Sequence, residues 1–269
     1  MLMRSAIVVG ATGLTGQELV AVLCESEEYA EITVIARRKL NFEHPKLVMK
    51  IRQFDQLEET DFKFAHELYC CLGTTRKKAG SKAMFERVDL EYPVNIASIA
   101  KKCGIPHVLV ISAMGANEDS KFYYNQVKGK MEHNLIALEL PQLSIFRPSL
   151  LMGDREEPRL AEKIGGVSMN ILKPVFIGPL RKYRAISASK LAKAMYTVAI
   201  YNTKQKIRVF DSAEILMMDK SNVLVDLHEE IIDEEPVFNW EKRQGIFIET
   251  EILEEEKIDK PLNNEQQNP

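Results

Sequence analysis

No stretch of this sequence reaches the roughly 18 consecutive apolar residues that would span a bilayer. Met1 to Arg4 run directly into an apolar strand, so neither a signal peptide nor a membrane partner is expected. Cysteine is scarce: Cys24, Cys70, Cys71 and Cys103 lie in apolar contexts without metal-ligand spacing. Reduced core thiols are therefore expected, with no disulfide and no metal, and the expected location is cytoplasmic. Internal repeats and low-complexity tracts are missing. So is any basic stripe interleaved with aromatics, which excludes single-stranded nucleic acid as a partner. Tryptophan occurs once, at Trp240, and is expected to anchor the tail rather than form a site.

What is present suits a large α/β domain. With 269 residues and 45% hydrophobic content, the chain can bury one full core, with or without an appendage. The net charge of −3 hides an asymmetry: residues 219–269 hold 15 of the 39 acids and only 5 of the 36 bases. Residues 1–218 are left with 31 bases against 24 acids, a net +7 that suits a phosphate-bearing ligand.

Ser5 to Val20 reads as strand, tight turn and helix, with glycines at 10, 13 and 16. Such a turn lets a pyrophosphate lie against a helix N-terminus, where free N–H groups and the helix dipole favour anions. The second strand, Ile32–Ala36, runs into Arg37 and Arg38, where an NAD-binding domain would place a ribose-binding acid. A guanidinium there binds a 2′-phosphate that a carboxylate would repel, so NADP(H) is the expected cofactor. Residues 47–54 supply a third strand ending at Asp55, whose carboxylate is placed to reach the adenine amino group. Residues 68–73 form a fourth strand, and Gly73-Thr74-Thr75 lies beside the cofactor. The basic cluster Arg76-Lys77-Lys78 reads as a solvated loop.

Residues 81–102 show helical spacing interrupted by Pro93, and residues 107–112 form a strand ending in Ser112. The next helix opens at Phe122 and carries Tyr124 and Lys128 one turn apart, on one face. An ammonium beside a phenol favours its ionised form, so Tyr124 can exchange a proton with a substrate oxygen that Ser112 holds. A strand over 143–148, an irregular lid segment from Arg155 to Tyr183, a helix over 187–201 and a strand over 206–210 complete the pattern. Beyond Met218 the chain turns acidic, and it is expected to be docked or partly disordered, offering a surface to a protein partner.

The motifs Gly10-Ala11-Thr12-Gly13-Leu14-Thr15-Gly16, the run Cys70 to Ser81, Ser112, Tyr124-x-x-x-Lys128 and Arg147-Pro148 together resemble an atypical short-chain dehydrogenase/reductase of the Tat-interacting-protein branch. The resemblance covers about residues 4–216. It implies a Rossmann fold, α/β with a doubly wound parallel sheet, over 1–217, and a C-terminal extension over 218–269. Ser112, Tyr124 and Lys128 take the catalytic positions. Cofactor contacts fall on Gly10, Thr12, Gly13, Leu14, Thr15, Gly16, Arg37, Arg38, Asp55, Leu72, Gly73, Thr74, Tyr124, Lys128 and Pro148. The chain departs from the family at Asp89, where an asparagine completes a proton relay with the lysine. Either Asp89 pairs with Lys128 and blunts its effect on Tyr124, or Asn95 stands in for the missing asparagine. The expected function is NADP(H)-dependent oxidation or reduction of a small carbonyl or alcohol, by a monomer or homodimer. Two alternatives stand beside it: a non-catalytic NADP(H)-binding redox sensor that binds a partner protein, and a sugar-nucleotide-type epimerase or dehydratase.

Overall fold

Strand β1 (Arg4–Val9) shows how the sheet is buried on both faces. Ala6 and Val8 join one apolar cluster and Ile7 and Val9 another, as the two-residue period of a strand requires when both faces are covered. The computed structural model describes residues 3–152, 184–201 and 205–218, all within the first of the chain's two units, Met1–Val223. The second unit, Leu224–Pro269, the lid segment Arg155–Tyr183 and Trp240 lie outside the described residues.

Seven parallel strands form the main sheet in the order β3-β2-β1-β4-β5-β6-β9. Beyond β1 these are β2 (Tyr29–Ala36), β3 (Leu47–Ile51), β4 (Glu67–Cys70), β5 (His107–Ile111), β6 (Gln142–Arg147) and β9 (Ile207–Asp211). Two short strands, β7 (Leu151–Met152) and β8 (Ile186–Ser187), pair separately. The strand order reverses between β1 and β4, which opens a crevice at the carboxyl ends of the strands. This is the expected doubly wound sheet.

Helix α1 (Leu14–Glu25) buries Leu19, Val20, Leu23 and Cys24, a stripe at helical spacing, in the same cluster as the buried face of α6 (Ala188–Tyr201). The opposite face of the sheet is covered by α4 (Tyr92–Lys102) and α5 (Tyr123–Ala137). Burying each such aliphatic side chain contributes about 1.5–3 kcal/mol, so these stripes fix which way each helix faces.

The segment read as a helix broken at Pro93 is instead continuous. After the short α2 (Arg76–Ala79), Ser81 caps α3 (Lys82–Glu86) by accepting from the Met84 amide at 3.1 Å. One turn of π-helix, Arg87–Glu91, then joins α3 to α4. Proline at 93 has no N–H for the Asp89 carbonyl, and its ring would press on that carbonyl in regular α winding. A widened turn relieves the clash without ending the helix. A last helix, α7 (Ser212–Met217), follows β9 directly and was not anticipated, although Asp211 and Glu214 form the capping box that starts it.

Candidate active site

The glycine turn after β1 is shaped by close contacts. Gly10 has φ +81°, and a side chain there would meet the Cys71 backbone at 2.5 Å, so β1 and the segment after β4 approach as only glycine allows. A Cβ at Gly16 would lie 2.3 Å from the Gly10 carbonyl oxygen, so the first turn of α1 packs onto the loop itself. Gly13 occupies the N-cap without a side-chain cap, and the first turn holds no acid. The free amides of that turn face a cleft of about 480 Å³ lined by Gly13, Leu14 and Thr15. Gly10, Thr12 and Gly16 form the turn behind this lining.

Across the cleft lie Leu72, Gly73 and Thr74 after β4, Ser112 after β5, Tyr124 and Lys128 on α5, and Pro148 after β6. All three expected catalytic residues therefore share one cavity. The β5–β6 pairing continues past the strand ends, with the Met114 amide donating to the Pro148 carbonyl at 2.9 Å, and this holds Pro148 beside the serine loop. Ser112 Oγ is buried, and among the described residues it has no hydrogen-bond partner. An unmet hydroxyl facing a cleft is an acceptor and donor for a ligand oxygen.

Asp89 settles the question raised by its sequence position. The π turn carries it into the cleft, where its Oδ1 lies 2.9 Å from Lys128 Nζ; both side chains are almost fully buried. The contact is an ion pair between two buried groups. Its other oxygen accepts from the Thr74 amide at 2.8 Å, so the same carboxylate fixes the loop after β4. Burial alone would lower the Lys128 pKa, but the Asp89 charge, with Tyr124 adding to it, leaves it raised. Asn95 is exposed on α4 and does not line the cleft.

Besides Gly10, Thr12 and Gly16, three further expected cofactor contacts lie apart from the lining. Arg37 and Arg38 are exposed just past the end of β2, where Arg37 sits 5.8 Å over the Phe54 ring. Asp55 pairs with Arg87 at 3.7 Å. Among the described residues, no carboxylate pairs with Arg37 or Arg38.

Sequence reasoning missed Cys71 and Met114, which line the cleft, and Gly129. A Cβ on Gly129 would meet the backbone of Asn117 and Glu118 at 2.2 Å, so this glycine lets the loop after β5 cross α5 next to Lys128. A glycine in mid-helix directly after the lysine was the signal.

The model of the NAD dependent epimerase/dehydratase family matches residues 6–134, from β1 through most of α5. Among curated proteins, the chain is 38% identical over 164 residues to Protein HTATIP2 of Rattus norvegicus, covering 59% of this chain and 67% of that protein. It is 32% identical over 183 residues to Protein FMP52-1, mitochondrial, of Scheffersomyces stipitis, covering 65% and 79%. The chain belongs to the family of these two relatives, the Tat-interacting-protein branch of the atypical short-chain dehydrogenase/reductases. Among solved structures, MoeE5 in complex with UDP-glucose and NAD superposes with a TM-score of 0.59 at 15% identity, over 76% of this chain and 74% of that one. The oxidoreductase ylbE of Lactococcus lactis gives 0.59 at 15%, over 86% and 100%. These two likenesses show the fold.

The expectation of a cytoplasmic location is corrected by the fungal relatives, six of which are named as mitochondrial proteins. Reduced thiols and the lack of a long apolar run are shared by several compartments, so neither could single one out.

Proposed function

We propose that this protein is an NADP(H)-dependent oxidoreductase acting on a small carbonyl or alcohol. The observation that carries the reading is the unpartnered, buried Ser112 hydroxyl in one cleft with Tyr124 and Lys128. The residues present fit a dinucleotide, because neither Gly10 nor Gly16 has room for a side chain and the uncapped first turn of α1 offers amides to a pyrophosphate. Arg37 and Arg38 would hold the 2′-phosphate, and Lys128 the nicotinamide ribose. When bound, the dinucleotide supplies or accepts the hydride.

The chain's own residues handle the oxygen. Ser112 Oγ donates a hydrogen bond to the substrate carbonyl, and the Tyr124 hydroxyl passes it a proton as negative charge develops. Lys128 stays charged in a buried site because Asp89 sits beside it, and its ammonium stabilises the phenolate left on Tyr124. Asp89 also offsets part of that field, so the lysine is positioned more firmly than it is electrostatically free.

The decisive experiment follows NADPH oxidation by absorbance across a panel of carbonyl substrates, with the unmodified protein and Tyr124→Phe. Turnover lost with the hydroxyl is expected; turnover that survives within a few-fold rejects Tyr124 as proton donor. The family match favours a second reading, hydride transfer inside an epimerase or dehydratase cycle. Interconversion of a sugar nucleotide without net change in the cofactor is the result that would select it.

A further inference from the structure

Arg76, two residues past Thr74, and Tyr123, one before Tyr124, adjoin the cleft through those lining residues without lining it themselves. Tyr123, the residue before Tyr124, has the Arg76 guanidinium 5.7 Å from its ring centroid and Lys82 Nζ at 5.3 Å. Its hydroxyl donates to the Lys82 carbonyl at 3.2 Å. Phe85, fully buried on α3, contacts both tyrosine rings, at 5.8 and 5.9 Å. The cations are thus fixed relative to Tyr124 through one buried ring rather than hanging from a free loop. Lys77 stands exposed next to Arg76, and Glu86, whose charge helps raise the Tyr123 pKa, is the acid of this cluster. Among the described residues no carboxylate forms an ion pair with Arg76, Lys77 or Lys82.

An excess of positive charge held next to a cleft raises the local concentration of anions and favours them over neutral ligands. The arrangement also offers flat apolar area, since Tyr123 presents a ring and Phe122 beside it is largely exposed. We propose that Arg76 and Lys82, with Tyr123 between them, form the substrate-specificity clamp, and that the substrate is a carbonyl or alcohol bearing a carboxylate or phosphate away from its reacting carbon. This rests on the oxidoreductase reading for the reacting end of the substrate; the anion subsite itself does not require turnover.

The test separates the two. Terephthalate and its neutral counterpart terephthalamide are titrated calorimetrically into the full chain saturated with NADPH, and into Arg76→Gln/Lys82→Gln and Lys63→Gln/Lys193→Gln. Terephthalate should bind the unmodified protein more tightly than terephthalamide and lose about ten-fold or more in the first variant, the worth of a charge-assisted contact. Terephthalamide should change by less than about two-fold, and the second variant, which removes two exposed lysines elsewhere, should change neither. Terephthalate bound no better than terephthalamide overturns the clamp, as does an equal loss in the two variants. Turnover of 4-carboxybenzaldehyde and of its methyl ester is measured in parallel. If neither aldehyde is reduced while the binding difference holds, the oxidoreductase reading fails and the clamp stands. Equal kcat/KM for the two aldehydes removes the clamp and leaves the oxidoreductase.

Discussion

Asp89→Asn tests whether the buried pair with Lys128 organises the site. Asparagine keeps the size and the oxygen that accepts from the Thr74 amide, so the variant removes a charge and little else. Both partners are almost fully buried at 2.9 Å, and breaking such a pair from one side costs about 3–5 kcal/mol. A second route gives the same size: stripping the proton from a lysine of ordinary pKa 10.5 at pH 7 costs about 5 kcal/mol, which caps the penalty. In the unmodified protein the Lys128 pKa is raised, since the Asp89 charge outweighs the lowering by burial. That stabilisation is complete below about 10.5 and is lost as pH rises through the folded value. In the variant the main cause that raises the Lys128 pKa is gone and burial, the largest effect, dominates, so Lys128 is expected to fold neutral while the unfolded chain still binds the proton. Variant stability then rises with pH by about 1.4 kcal/mol per unit, and the gap should narrow by about 2.7 kcal/mol between pH 7 and pH 9. Urea unfolding of both proteins at the two pH values measures it. A gap under about 1 kcal/mol at pH 7, or one that does not change with pH, would refute the account.

Tyr124→Phe should lower kcat by about 10²–10⁴ with little change in dinucleotide affinity, measured by steady-state kinetics and calorimetry. The unmodified protein should prefer NADPH over NADH by about 10- to 150-fold, and Arg37→Asp should reverse that order; equal affinities in calorimetric titration would remove the arginines from the cofactor site. Gly16→Ala places a Cβ 2.3 Å from the Gly10 carbonyl and should cost about 1–3 kcal/mol in thermal or urea unfolding while weakening both dinucleotides.

The parallel order of strands and the shared cavity of Ser112, Tyr124 and Lys128 were legible because each depends on local pattern. Apolar runs give the strands, a glycine turn marks the first βα junction, and strand ends in a doubly wound sheet converge on one edge. Asp89 was legible only as one of two alternatives, pairing with Lys128 or yielding its place to Asn95, and the pattern could not choose between them. The partner of Asp89 lies 39 positions downstream on another helix, and its aim depends on a turn whose winding hydrophobic spacing does not encode. Pro93 was read as a break for the same reason: the rule that proline ends a helix assumes α geometry, and a π turn escapes it. The sheet-end helix α7 was legible in principle, from the box Asp211–Glu214, but the acidic composition after Met218 drew the boundary instead.

The π turn has a consequence for how this site tolerates change in chain length. It uses one residue more than α winding needs for the same turn, which sets α3 and α4 out of phase by about 100°. That offset lets Phe85 face the tyrosines of α5 while Ile96, Ala97 and Ala100 face the sheet. Deleting any one residue between Arg87 and Glu91 would remove the extra residue of the widened turn, set the Pro93 ring against the carbonyl four residues before it, and turn one of those faces away from its contacts. The Asp89–Lys128 pairing is thus kept by a count of residues as much as by their identity, and substitution and deletion in this helix are different kinds of damage.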